Sequence, residues 1–231
     1  MSFFLKDLLF EILFPTRCIF CGKYSEGFVC KSCFEKLKFP KNYCGMCGRP
    51  LTGSLEICYN CSKEKKVWDS YEFVAYYDGM WKEIIASFKF KNKPYLADFI
   101  SQIGKEKILK REWRIDYITY VPLSYRALVY RGYNQSEYIA HFLGKNLKIP
   151  YGPLLYLKKD IKPQKSLNLR EREKNVLNAF GVIEDKKVSG NILLVDDVYT
   201  TGATLKECAK TLRENLSLNK IYVFTAVRAL I

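Results

Sequence analysis

Four Cys-x-x-Cys pairs crowded into residues 18–61 constrain this chain's folding more than any other feature. Their spacing is Cys18-x2-Cys21-x8-Cys30-x2-Cys33, then Cys44-x2-Cys47-x10-Cys58-x2-Cys61, and of nine cysteines only Cys208 lies elsewhere. A two-residue gap lets both sulfurs of a pair reach one tetrahedron, so each half suits one Zn²⁺ held by four thiolates. Two zinc ions are expected. They are structural, because sulfur fills every position and no place remains for a reactive water. Sequential sites are expected, although a cross-braced arrangement uses the same spacings. Disulfide scaffolds rarely repeat such pairs, and a redox role needs one pair rather than four. Gly22 and Gly48 follow second cysteines, where a knuckle turns tightly. Thiolate–metal chemistry fits a reducing, cytoplasmic compartment.

Ahead of the cysteines, Leu5, Leu8, Leu9, Ile12 and Leu13 recur at helical spacing and Pro15 ends the run. Residues 1–15 therefore read as an amphipathic helix. The stretch lacks the positive end, clean apolar core and cleavage site of a secretory signal, and it is too short to span a bilayer. Docking on the protein's own body, docking on a partner and peripheral membrane contact remain open uses.

Charge sets the class of partner. Lys and Arg total 38 against 24 Asp and Glu, a formal net charge of +14. That balance favours polyanions: nucleic acid, phosphorylated small molecules or an anionic membrane surface. Within 16–62, Arg17, Lys23, Lys31, Lys36, Lys38, Lys41 and Arg49 interleave with Phe20, Tyr24, Phe28, Phe34 and Tyr43. Such a surface can grip single-stranded nucleic acid by phosphate contact and base stacking. It can equally be a small domain's substitute core overlaid by lysine stems.

The charged run Ser62-Lys-Glu-Lys-Lys66 reads as a linker, so 16–62 is expected to be a zinc-binding domain and 67–231 a second domain. In that second domain, strands are expected at 71–77, 117–121, 154–157, 180–183, 191–195 and 220–227. Asp78-Gly79 reads as a turn, and helices are expected from about 80 to 88, 95 to 109, 135 to 146 and 205 to 216. Alternating strands and helices give an α/β fold with a largely parallel sheet flanked by helices. His141, between Ala140 and Phe142, reads as a packing residue, and Cys208 as a small buried one.

The chemistry concentrates at Ile192–Thr204. Ile192-Leu-Leu-Val195 reads as a strand buried on both faces, ended by Asp196 and Asp197. A loop of Tyr199, Thr200, Thr201, Gly202, Ala203 and Thr204 then leads into a helix. Ligands of open α/β sheets sit beyond the carboxyl ends of strands, and amides at a helix start bind phosphate. There is no Lys after the Gly and no Gly-x-Gly-x-x-Gly, so neither common nucleotide loop is present. Two acids before a phosphate seat suit a sugar diol carrying a 5′-phosphate. Arg126, Arg131 and the turn at Gly132 are expected to form a second anion seat opposite. The Lys/Arg-dense stretch 158–174 reads as a mobile loop or hairpin.

Ile192–Thr204 resembles the phosphoribosyl-pyrophosphate (PRPP) motif of the type I phosphoribosyltransferases. Pro122-Leu with Tyr130-Arg-Gly-Tyr-Asn-Gln135, and Cys44-Gly-Met-Cys-Gly-Arg-Pro-Leu51, are similar to further signatures of one group. Over almost its full length the chain resembles the ComF family, competence-associated proteins that join a cysteine-rich zinc segment to a phosphoribosyltransferase-like domain. The resemblance implies PRPP and Mg²⁺ as ligands, with Asp196 and Asp197 on the ribose hydroxyls. Tyr199 to Thr204 would surround the 5′-phosphate. Arg126, Arg131 and Lys165 would offset the charge of departing pyrophosphate, Lys165 from a lid over Gln164–Arg170. As partners it implies single-stranded DNA, taken up in natural transformation, and a competence helicase or other DNA-processing protein. No pocket for an acceptor is legible. Phosphoribosyl transfer and assistance to DNA uptake therefore stand as two readings.

Overall fold

The computed structural model describes residues 16–64, 67–159, 161, 169–184 and 186–230. The helix expected at 1–15 and Lys165 with most of the expected lid lie outside them. The chain divides into two compact units, Met1–Lys38 and Phe39–Ile231. The division falls between the cysteine quartets. Cys44, Cys47 and Cys58 share one buried cluster with Tyr71, Phe73 and Ile192 of the sheet, so the second quartet belongs to the larger unit.

The two quartets are built alike. In the smaller unit, Arg17 bridges Tyr24, Gly22 N donates to Cys18 O at 2.9 Å, and helix α1 (Lys31–Phe34) starts at Cys30. In the larger unit, Tyr43 bridges Pro50, Gly48 N donates to Cys44 O at 2.8 Å, and α2 (Tyr59–Lys63) starts at Cys58. Gly48 has φ +69°, and a Cβ there would meet the Tyr71 ring at 2.8 Å, so only glycine lets this knuckle lie against the sheet.

The sheet has the order β1-β6-β5-β2, from β1 (Ser70–Tyr76), β2 (Tyr117–Tyr120), β5 (Gly190–Tyr199) and β6 (Leu218–Arg228). All its pairings are parallel, as the apolar run 192–195 implies. One expectation fails here. Asp196 and Asp197 do not end the strand; β5 runs on to Tyr199, because β6 keeps pairing with it at Asp196↔Thr225 and Tyr199↔Arg228. The acids are thus held on sheet backbone instead of a loop.

Around the sheet lie α3 (Gly79–Phe90), α4 (Leu96–Lys110), α5 (Tyr125–Arg131), α6 (Gln135–Leu147), α7 (Leu169–Val176) and α8 (Ala203–Asn215). Asp78 is not a turn residue but the cap of α3, its side chain accepting from Gly79 N at 2.7 Å. Helix α5 lies where no element was assigned from the sequence: Ser124 caps it, accepting from Ala127 N at 3.3 Å, and Gly132 ends it with φ 81°. The stretch 158–174 is not wholly irregular either, since α7 begins at Leu169. Strands β3 (Leu155–Leu157) and β4 (Phe180–Val182) pair antiparallel, apart from the main sheet.

Strand alternation assigns the two faces. Tyr71, Phe73, Ile192, Leu194, Ile221 and Val223 pack under Leu205, Cys208, Ala209 and Leu212 of α8 and under Phe180. Cys208 is fully buried, as its sequence context implies. Helices α4 and α6 cover the opposite face and are tied together where Ser101 Oγ donates to Ile139 O at 3.2 Å. The edges are also covered. Tyr71 N at the β1 edge donates to Gly45 O at 2.7 Å, and Ile118 N at the β2 edge donates to Pro150 O at 2.9 Å.

Candidate functional site

In a parallel sheet the carboxyl ends of all strands point one way, and there a cavity of about 860 Å³ opens. Asp196, Asp197, Thr200, Gly202, Ala203 and Thr204 border it from β5 and the start of α8. Arg126 and Arg131 of α5 border it from the β2 side. The structure thus brings together the two stretches expected to face each other. Thr201 is not on the wall; its Oγ1 accepts from Ala203 N at 3.3 Å and closes the helix start. Tyr199 touches the cavity but is 2% exposed, with its ring 5.0 Å from that of Tyr71. Its contribution is to hold the loop.

Local rules explain the loop. Gly202 caps α8 with φ 82°, and a Cβ there would stand 2.6 Å from Tyr199 Oη. The first amides of an α-helix lack intrahelical partners, and those of α8 begin at the cavity wall. On the far side, Asn134 Nδ2 donates to Val121 O at 3.0 Å and its Oδ1 accepts from Ser136 N at 3.1 Å. One side chain thereby fixes the start of α6 to the end of β2.

The acids differ in their surroundings. Asp196 Oδ1 accepts from Ser136 Oγ at 2.9 Å and from Asp197 N at 2.8 Å. Removal from water, and then the charge of Asp197, push its carboxyl up to about 7. Asp197 Oδ2 instead lies 2.7 Å from Lys89 Nζ and 4.0 Å from Arg131 Nη1. Arg131 also donates to Gln135 Oε1 at 2.9 Å. The Nε2 of this 1% exposed glutamine is a buried donor with no partner among the described residues. Since Gln135 borders the cavity, an acceptor atom of a ligand would complete it.

Sequence reasoning missed Lys89, Gln135 and Ser136 as site residues. The basic run from Lys89 and the pair Asn134-Gln135 were visible, but only the packing of α3 and α6 carries them to the acids. His141 is no part of the site: its Nδ1 lies 2.7 Å from Tyr151 Oη on the far part of α6.

The cysteines form two separate groups, Cys18, Cys21, Cys30 and Cys33, and Cys44, Cys47, Cys58 and Cys61. This is the sequential arrangement. Within each group the sulfurs lie within 4.8 Å of one another. The Cys21–Cys30 and Cys47–Cys58 sulfurs are 3.7 Å apart. A tetrahedron of thiolates at zinc–sulfur length has edges of about 3.8 Å, so both groups fit Zn²⁺.

Residues 9–62 match the double zinc ribbon domain. The chain is 31% identical over 228 residues to Competence protein F of Haemophilus influenzae, covering 94% of this chain and 98% of the relative. It is also 30% identical to Competence protein ComFC of Bacillus subtilis, covering 92% and 89%. The chain belongs to the competence protein F and ComFC family. DNA utilization protein YhgH of Escherichia coli is 29% identical across 81% of this chain and 85% of that protein. Among solved structures, the glutamine PRPP amidotransferase of Bacillus subtilis aligns with 61% of this chain and 30% of its own length, at 17% identity and TM-score 0.41. For this family member, the double zinc ribbon is one module in sequence whose second half packs with the sheet.

Proposed function

We infer that this chain binds PRPP with Mg²⁺ at the cavity and acts in the handling of incoming single-stranded DNA. One observation carries the first part: two adjacent carboxyls on β5 and a helix start on α8 share one wall, faced by Arg126 and Arg131. Carboxylates accept from a ribose diol, and helix-start amides with threonine hydroxyls suit its 5′-phosphate. The buried Gln135 Nε2 and the arginines suit the pyrophosphate oxygens. Asp196 and Asp197 also offer the oxygen donors that Mg²⁺ prefers, and the ion when bound would neutralise phosphate charge. The names of the relatives, competence and DNA utilization proteins, support the second part, as does the net charge of +14. A cytoplasmic setting fits that role. Among the described residues, no helix is long and apolar enough to cross a membrane.

Calorimetric titration with PRPP and Mg²⁺ tests the ligand. Binding to the wild type, lost in Asp196→Asn/Asp197→Asn, is the expected result; equal binding by the double variant refutes the ribose assignment. For DNA, single-strand affinity should fall steeply with salt. A salt-independent affinity would count against phosphate-led binding.

A second reading, transfer of the phosphoribosyl group, is favoured by the apolar part of the cavity. Tyr77, Ile85, Phe90 and Tyr130 border it, surfaces on which a planar acceptor could stack. Pyrophosphate release from PRPP in a panel of bases and amines would establish it, and none released would leave binding alone.

A further inference from the structure

Four consecutive carbonyls of the second cysteine knuckle are held by groups of β1, β6 and Trp68, which lies just before β1. Gly45 O accepts from Tyr71 N at 2.7 Å and Met46 O from Trp68 Nε1 at 2.9 Å. Cys47 O accepts from Arg228 Nε at 2.7 Å and Gly48 O from Tyr76 Oη at 3.1 Å. The third of these anchors reaches further. Arg228, at the end of β6 and only 8% exposed, also donates through Nη1 to Thr200 O at 2.6 Å, to Tyr199 O at 3.2 Å and to Ala229 O. One guanidinium therefore grips the peptide of a metal ligand on one side and the start of the anion loop on the other.

The physics of both groups makes this a rigid connection. A guanidinium presents its N–H groups in one fixed plane, so displacing the Cys47 carbonyl redirects the bonds to Tyr199 and Thr200. A peptide is planar as well: holding Tyr199 O sets the direction of Thr200 N–H, and holding Thr200 O sets that of Thr201 N–H. Thr200 borders the cavity, and the Thr201 peptide leads directly into Gly202, Ala203 and Thr204, which border it too. The guanidinium carbon stands 4.3 Å over the Tyr199 ring centroid, which keeps it from swinging away.

We propose that Arg228 is a positioning residue through which metal at Cys44, Cys47, Cys58 and Cys61 sets the phosphate affinity of the Thr200–Thr204 loop. With metal in place, Cys47 is fixed and the loop amides are oriented before the ligand arrives. Without it the knuckle is released and the loop loses its rear support. The proposal rests on the phosphate-binding reading of the loop given above. By linkage, a phosphate ligand must then strengthen metal retention at the second quartet by the same factor as the metal strengthens ligand binding. The first quartet, in the other compact unit, is the internal control.

The test uses full-length zinc-loaded protein with ribose 5-phosphate as the probe. Zinc retained against a competing chelator is measured at equilibrium with and without the probe, and probe affinity is measured by calorimetry. The probe should strengthen retention of one zinc by about fivefold or more and leave the other unchanged, a coupling of ordinary size. Arg228→Lys should keep both zincs before chelation, weaken the probe about tenfold and abolish the coupling. Tyr76→Phe, which removes a neighbouring anchor without touching the loop, should bind the probe as the wild type does. Wild-type binding of the probe with zinc retention unaltered overturns the proposal, as does wild-type affinity in Arg228→Lys. Should that variant fail to fold, the wild-type coupling alone decides. No binding of the probe to wild type overturns the phosphate reading itself, and this inference with it.

Discussion

Lys89 Nζ stands 2.7 Å from Asp197 Oδ2, joining the last turn of α3 to the sheet at the floor of the cavity. Both side chains are largely shielded from water, and Arg131 adds a second cation 4.0 Å from the same oxygen. Among the described residues the neighbouring Asp196 has no cation at this distance, and burial and then the charge of Asp197 push its carboxyl up to about 7.

Removing Lys89 takes away the nearer cation on Asp197 Oδ2 and leaves only Arg131, at 4.0 Å. Lys89→Met should lower stability by about 3 kcal/mol in urea unfolding. The double variant Lys89→Met/Asp197→Asn should recover most of that loss, since the carboxylate that lost its nearer cation is then gone and Arg131 keeps its bond to Gln135 Oε1. Additive losses in the double variant would mean that the two residues act separately.

Asp196 gives stability a pH dependence of defined sign. Its folded carboxyl is raised to about 7, whereas an unfolded aspartate titrates near 3.8. The folded state therefore holds this proton at pH values where the unfolded chain has released it. The resulting stabilisation is complete below about pH 4 and is lost as pH rises through 7. Asp196→Asn should match the wild type at pH 4 and exceed it at pH 8, seen as a Tm difference that widens between them. A difference constant with pH would contradict the assignment.

Gly202→Ala should damage both loop and helix start. At φ 82° a side chain is strained, and the added carbon would meet Tyr199 Oη at 2.6 Å. A loss of roughly 1–3 kcal/mol is expected in thermal unfolding, with weakened phosphate binding alongside. Thr201→Ser, which keeps the oxygen that accepts from Ala203 N, should have little effect.

Glu72 is 1% exposed and accepts from Tyr43 Oη at 2.7 Å, Arg111 Nε at 2.7 Å and Lys107 Nζ at 3.4 Å. It ties β1 to α4 and to the residue preceding Cys44. Glu72→Gln should cost about 3 kcal/mol by stranding two cations, measured by urea unfolding.

Elemental analysis of purified protein should give about two zinc ions per chain, one for each thiolate tetrahedron. One per chain would mean that the quartets, though alike in geometry, differ in occupancy.

The parallel sheet was legible because a run such as Ile192–Val195 has no polar position to turn outward, and the cysteine quartets because thiolate spacing is local. Sequential ligand sets were expected and are what the structure holds. The end of β5 was misjudged for a physical reason. Adjacent acids look like strand terminators, but the hydrogen-bonding partner of a strand can carry it past them, as Thr225 and Arg228 do. Helix α5 was missed because its helical residues have no buried face; the helix rests on Ser124 and Gly132 at its ends. Lys89 and Gln135 could not be placed from sequence, since tertiary packing alone brings them to Asp197 and Arg131. The second quartet's attachment to the sheet depends on carbonyl groups, which no residue pattern advertises.

A parallel sheet of four strands has two flanks at which a foreign strand could add itself. Here the β2 flank is occupied by the chain at Pro150, and the β1 flank is met by Gly45 of the second cysteine knuckle. A metal-bound turn thus doubles as a stopper against strand addition. Stripping that metal would bare backbone as well as loosen a ligand loop, so chelated protein should self-associate through β1 before the remainder of the fold is lost.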